Sequence, residues 1–149
     1  MSGGITVEIT LIGKPVVAGS AEGTAIVSNQ PISFWGGVCP RTGEIIDRHH
    51  ERLGAIITGK VFVFPQGKGS STASATLMQS IKAGTGPAAI INLKVDPILA
   101  LGAILADEVF QKTIPIIVVS REGFDAIQEG DYLFIKPDGT IRARRRKAT

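Results

Sequence analysis

The sequence predicts an α/β fold in which a strand-rich first half runs into a β-α-β-α-β unit. Three observations point there. Between residues 61 and 119, short runs of β-branched and aromatic residues alternate with stretches at helical spacing. Helix punctuation flanks those stretches: Gly84 after the first, Asp96 and Pro97 ahead of the second. At 149 residues, with 44% hydrophobic and 19% charged content, the chain suits one domain (residues 1–149) with a proper core.

The elements follow in order. Residues 5–12 alternate apolar and polar, as a half-buried strand does, and 23–28 read as a second strand. Next comes the irregular stretch Pro31-Ile-Ser-Phe-Trp-Gly-Gly-Val-Cys-Pro-Arg-Thr-Gly43. Its paired glycines, two prolines and the only Trp mark a place for a binding loop. Residues 44–47 resume an extended pattern.

The strand at 61–64 stops at Pro65, which cannot donate to a sheet ladder. A helix over 72–83 carries Ala73, Leu77, Met78 and Ile81 near helical spacing, and Gly84 suits its stop. A strand at 88–93 follows. Asp96 as N-cap and Pro97 behind it open a helix to about residue 110. Its run Ile98-Leu-Ala-Leu-Gly-Ala-Ile-Leu105 is apolar nearly all round, which predicts deep burial. Residues 114–119 read as a buried strand and 124–128 as a short helix. Strands at 131–135 and 140–143 pair through Pro137-Asp138-Gly139.

Charge and rare residues narrow the function classes. The formal charge is +3, but Arg142, Arg144, Arg145, Arg146 and Lys147 crowd the last eight residues, and without those five it falls to −2. That run, about 142–149, is expected to be a solvated basic tail. It has no aromatic interleaving or repeated basic face, so no nucleic-acid partner is predicted. A lone cysteine, Cys39, excludes an internal disulfide framework and a self-contained cysteine-ligated cluster. Asp47, His49 and His50 form the one suggestive metal group. Zinc sites take three or four ligands, and the chain has no further histidine, so no metal site of its own is expected. The amino terminus lacks the basic region and long apolar run of a secretory signal, and the apolar stretch 97–106 is too short for a bilayer. A cytoplasmic protein without a membrane partner is the expectation.

The most informative stretch is Val61-Phe-Val-Phe-Pro-Gln-Gly-Lys-Gly-Ser-Ser-Thr72. It reads as a strand, a glycine turn, then hydroxyls opening a helix. Gly67 and Gly69 permit positive φ and close backbone approach. Ser70 and Ser71 fall at the N-cap region, where unpaired N–H groups favour an anion and would stabilise a deprotonated hydroxyl. Lys68 adds a cation within the turn. Named nucleotide motifs do not fit: Phe62 stands where a phosphate-binding loop needs glycine, and Thr72 where the dinucleotide pattern needs its third glycine.

These motifs also resemble a known family. Pro31-Ile-Ser-Phe-Trp-Gly-Gly-Val38, Thr42-Gly-Glu-Ile-Ile-Asp-Arg-His-His50, Gly59-Lys-Val-Phe-Val-Phe-Pro-Gln-Gly-Lys-Gly-Ser-Ser71, Gly86-Pro-Ala-Ala-Ile-Ile91 and Asp96-Pro-Ile-Leu-Ala-Leu-Gly-Ala103 are similar to the small, swivelling subunit of the aconitase X family, over about residues 20–135. The resemblance implies a three-layer β/β/α domain that works only with a larger catalytic chain. It puts the catalytic serine at Ser70. From the residues themselves, Gly69, Ser71, Lys68, His49 and His50 are the expected substrate contacts, with Ser71 otherwise a helix cap and the two histidines otherwise structural or facing the partner. An iron or iron–sulfur centre would be held by the large subunit. Members dehydrate either cis-3-hydroxy-L-proline, to 1-pyrroline-2-carboxylate, or 5-phosphomevalonate. Trp35 and the segment 46–50 look more like the hydroxyproline type. Cys39 departs from the pattern, which expects an acidic residue before Pro40. The remaining alternative is a non-catalytic mobile domain that only closes a partner's site.

Overall fold

The computed structural model describes residues 4–148; residues 1–3 and 149, where the leader reading and the end of the basic run fall, lie outside the described residues. In chain order the elements are β1 (Gly4–Ile12), β2 (Lys14–Val17), β3 (Ala21–Val27), α1 (Phe34–Gly37), β4 (Val61–Val63), α2 (Thr72–Ala83), β5 (Ala89–Asn92), α3 (Pro97–Phe110), β6 (Ile116–Val118), α4 (Arg121–Ala126), β7 (Tyr132–Ile135) and β8 (Thr140–Ala148). The strands form a mixed sheet in the order β1-β8-β7-β3-β4-β5-β6-β2. From β3 to β6 the pairing is parallel, with α2 and α3 as crossovers; β1, β8, β7 and β3 pair antiparallel. Strand β3 serves both halves: residues 21–24 pair with β7 and 25–27 with β4. Only Gly13 separates β1 from β2, which stand at opposite ends of the strand order. That one-residue link requires the sheet to curl back on itself, while the Gly13 N–H continues the β1–β8 pairing by donating to the Gly139 carbonyl at 2.9 Å.

Alternation along the strands builds the layers, because successive side chains point to opposite faces. Val61, Val63, Ala89, Ile91 and Ile117 meet Leu133, Ile135, Ile141 and Ala143 of the antiparallel half in one core. Phe62, Phe64, Ile90 and Ile116 point the other way, onto Leu77 and Ile81 of α2 and Leu99 and Ala103 of α3. That is the expected β/β/α stack. The helices approach closely at Gly102, where a Cβ would stand 2.7 Å from the Ser74 carbonyl. The Ser74 hydroxyl also donates to the Ile98 carbonyl at 2.8 Å. The N-terminal ends of α2 and α3 are thereby held together.

Four sequence expectations need correction. Strand β2 was not foreseen: it is a four-residue edge containing Pro15, with a register shift before Val17. The irregular stretch after residue 31 contains a helical turn, α1, interrupted by an extended Trp35 and a left-handed Gly36 at φ 79°. Helix α3 is not deeply buried all round: Leu101, Ile104, Leu105 and Val109 are 37–55% exposed.

The basic run is not a solvated tail. Arg142, Arg144, Arg145, Arg146 and Lys147 lie in β8, which pairs with the whole length of β1. Ile141 and Ala143 point into the core, and Arg145 takes the next inward place. There its Nε and Nη2 donate to the buried Asp131 carboxylate at 2.9 and 2.7 Å. Outward-facing Arg142 and Arg144 both reach Glu8. No helix among the described residues is long and apolar enough to cross a membrane.

Candidate active site

Two loops leave adjacent parallel strands at their C-terminal ends, 64–71 after β4 and 93–96 after β5. Ligand sites in α/β sheets favour that position. Between the loops lies an open cleft of about 270 Å³, lined by Ile32 and Phe34, the turn from Gln66 to Ser70, Ala73, and the segment from Val95 to Leu99. Asn92, fully buried at the end of β5, donates through Nδ2 to the Phe64 carbonyl at 2.9 Å and so clips the two strands where the loops diverge. Its Oδ1 has no hydrogen-bond partner among the described residues.

The glycine turn is held from both sides. Ile32 and Gly67 form a parallel bridge, and the Lys68 N–H donates to the Ile32 carbonyl at 3.2 Å. Gly67 does not use positive φ; a Cβ there would collide with the Asp96 carboxylate. Asp96 meanwhile accepts from the Ile98 and Leu99 N–H groups at 3.0 and 3.2 Å, capping α3. One carboxylate thus caps a helix and fills the place of the missing side chain. Gly69 does need the left-handed region, at φ 93°. It sits against Ser33, whose buried hydroxyl has no hydrogen-bond partner among the described residues.

Ser70 is exposed at the cleft rim. Its Oγ accepts from the Thr72 N–H at 3.0 Å and donates to the Thr72 hydroxyl at 2.9 Å. The expected free N–H groups at the start of α2 are therefore spent within the chain. Thr72 N–H goes to Ser70 Oγ, Ala73 N–H to the Ser70 carbonyl, and Ser74 N–H to the Ser71 carbonyl. Ser71 stands at the N-cap position with helical φ and ψ and makes no side-chain cap bond. The oxygen that receives the stabilisation of the helix start is that of Ser70 itself. An alkoxide there would face an N–H donor and the positive end of α2, and Lys68 stands in the same turn. Thr72 is the partner that sequence reasoning missed; the available signal was a hydroxyl two residues after a serine, a spacing that favours such turns.

The predicted site residues divide. Lys68, Gly69 and Ser70 line the cleft together; Ser71, His49 and His50 do not. Asp47 and His49 do not share a strand face, because the chain turns there: the Asp47 carboxylate accepts from the His49 N–H at 2.9 Å. His50 is buried, its Nδ1 accepting from the Arg52 N–H at 3.0 Å and its Nε2 lying 3.4 Å from Ser28 Oγ. Ser28, 1% exposed, donates its proton to Glu51 at 2.7 Å. This serine–histidine–acid group ties loops together and offers no open nucleophile. Among the described residues, no three His, Cys, Asp or Glu side chains gather closely enough to hold a metal ion. The Cys39 thiol is held below its ordinary pKa of 9.0, first by the Thr42 hydroxyl and then by the Arg41 N–H.

Comparison with known proteins bears on the family and the fold. The profile described as the aconitase X swivel domain matches residues 10–143. The cis-3-hydroxy-L-proline dehydratase of Pseudomonas aeruginosa is 44% identical over 117 residues, covering 78% of this chain and 20% of that protein. The phosphomevalonate dehydratase small subunit of Methanosarcina acetivorans is 38% identical over 145 residues, covering 90% of this chain and 96% of that one. The chain thus spans a fifth of the first relative and nearly all of the second. The holo-form crystal structure of Thermococcus kodakaraensis aconitase X superimposes with a TM-score of 0.81 at 36% identity, covering 91% of this chain and 98% of the matched one.

Proposed function

The chain belongs to the aconitase X swivel-domain family, and on that premise we propose that it is the small subunit of a two-chain hydro-lyase, lending Ser70 as proton acceptor to a site completed by a large subunit. The observation that carries this reading is the placement of Ser70 Oγ. It stands on the rim of an open cleft, on a strand–turn–helix junction, with the Thr72 N–H aimed at it. A serine is a weak base until its alkoxide is stabilised, and backbone donors at a helix start supply that.

In the proposed step, Ser70 Oγ as alkoxide takes the proton from Cα of a β-hydroxy acid. The C–H electron pair becomes the new C=C bond as the Cβ–O bond breaks, and the departing hydroxide takes a proton from solvent to leave as water. With cis-3-hydroxy-L-proline, whose Cα carries the ring nitrogen, the product is an enamine that tautomerises to the imine. Lys68, which lines the cleft in the same turn, is assigned the substrate carboxylate in this reading. The resemblance also implies an iron centre. In this reading that centre belongs to the large subunit, and among the described residues no three His, Cys, Asp or Glu side chains gather to hold a metal ion.

The substrate favoured is cis-3-hydroxy-L-proline. The character of Trp35 and residues 46–50 supports it. The second reading is 5-phosphomevalonate, supported by the near-complete length match to a separate small subunit. Assaying the purified two-chain complex with both compounds separates them, because a site built around a phosphate discards the proline analogue. For the serine, Ser70→Ala is expected to lower turnover of the complex at least a hundredfold. A loss under about tenfold, with altered substrate affinity, would instead favour a non-catalytic domain that only closes the partner's site.

A further inference from the structure

We propose that the outer face of α3 is the surface on which the large subunit docks; this rests on the two-chain reading above. Leu99, Ala103 and Ala106 bury one face of the helix against α2 and the sheet. Leu101, Ile104, Leu105 and Val109, spaced three, four and eight residues on from Leu101, form a stripe on the opposite face and are exposed. No charged residue interrupts the helix between 97 and 106; exposed Glu108, one turn on from Ile104, bounds the uninterrupted apolar part of the stripe. A helix that is apolar all round needs cover on both sides, and this chain supplies only one. The stripe is no scatter of single exposed side chains, which would need no explanation.

The stripe begins where the cleft ends. Val95, 54% exposed, and Ile98 line the cleft, and the exposed residues continue from there along about 20 Å of helix. A chain completing the cleft from that side meets the stripe as it does so. The Pseudomonas relative carries the counterpart of this domain as a fifth of one longer chain, so the remaining four-fifths is the body available to cover it. A second copy of this chain on the same stripe would instead occupy the lip that the large subunit must reach.

The test uses both chains, purified together and apart. In the complex, amide exchange along α3 is expected to slow relative to the isolated small chain. Leu101→Glu with Leu105→Glu is expected to weaken binding of the large subunit at least a hundredfold by calorimetry, since a few buried apolar anchors dominate such interfaces. Leu101→Gln with Leu105→Gln is the milder pair, should the glutamates disturb folding. Ile5→Glu, on the far strand β1, should leave affinity unchanged. Ser70→Ala should bind within threefold of the parent, so a failure of the catalytic assignment leaves the docking result readable. Unchanged exchange on α3, or wild-type affinity in both double variants, overturns the proposal. So does an isolated small chain that is a dimer which these substitutions split without touching large-subunit affinity.

Discussion

Replacing Arg145 by Met tests whether β8 is a structural strand. Asp131 is 1% exposed, and its carboxylate accepts three hydrogen bonds: two from Arg145, at 2.9 and 2.7 Å, and one from the Gln128 N–H at 2.9 Å. Arg145 also donates to the Ala126 carbonyl at 2.9 Å, so one guanidinium ties β8 to the segment between α4 and β7. Met keeps most of the apolar stem and removes both charge-assisted bonds. A buried carboxylate stripped of its partner costs about 3–5 kcal/mol. With a urea dependence of about 2 kcal/mol per molar, the unfolding midpoint should fall by roughly 2 M. The assay is equilibrium urea unfolding followed by far-UV circular dichroism. Combining Arg145→Met with Asp131→Leu should recover most of the loss, because an apolar pair can replace a buried ion pair at little cost. Arg142→Met, whose partner Glu8 is open to solvent, should barely move the midpoint. A loss below about 1 kcal/mol for Arg145→Met, or no recovery in the double variant, refutes the reasoning.

Three further outcomes are expected. Thr72→Val deprives a Ser70 alkoxide of one hydroxyl donor and leaves the backbone donor, so kcat of the complex should fall about ten- to a hundredfold while Thr72→Ser retains it; equal losses for both would sink that role. Gly67→Ala drives a methyl into the Asp96 carboxylate and should destabilise the chain by about 1–3 kcal/mol, read as a lower melting temperature; an unchanged melt would contradict the packing argument. The Ser28 hydroxyl and then the Asn29 N–H hold the Glu51 carboxyl below its ordinary 4.5. A depressed folded value means that this stability is present above 4.5 and lost as pH falls through the lower folded value. Glu51→Gln should therefore flatten the acid limb of the stability curve below pH 4.5, and an identical limb in both proteins would count against it.

Local rules read the parallel unit well because its signals are local. The extents of α2 and α3, the Asp96 cap, the Gly84 stop and the Pro137-Asp138-Gly139 turn all follow from residues within one or two helical turns of the feature. The basic run was misread because five charges masked an alternation that was present: Ile141, Ala143 and Arg145 face in, Arg142 and Arg144 face out. An inward arginine reads as a strand residue only once its partner is known, and Asp131 lies fourteen residues away.

The amino-acid order alone determined the layer preferences, the limits of α2 and α3 and the serine turn, since propensity, periodicity and capping act over a few residues. The short helix expected at 124–128 begins earlier, at Arg121, where Ser120 caps it. Only the tertiary structure decided which of those residues share a site. It set Asp96 against Gly67 and Thr72 under Ser70, turned His50 toward Ser28 and away from the cleft, and left one face of α3 uncovered. Such contacts depend on how strands far apart in sequence stack and cross, and no local pattern carries that distance.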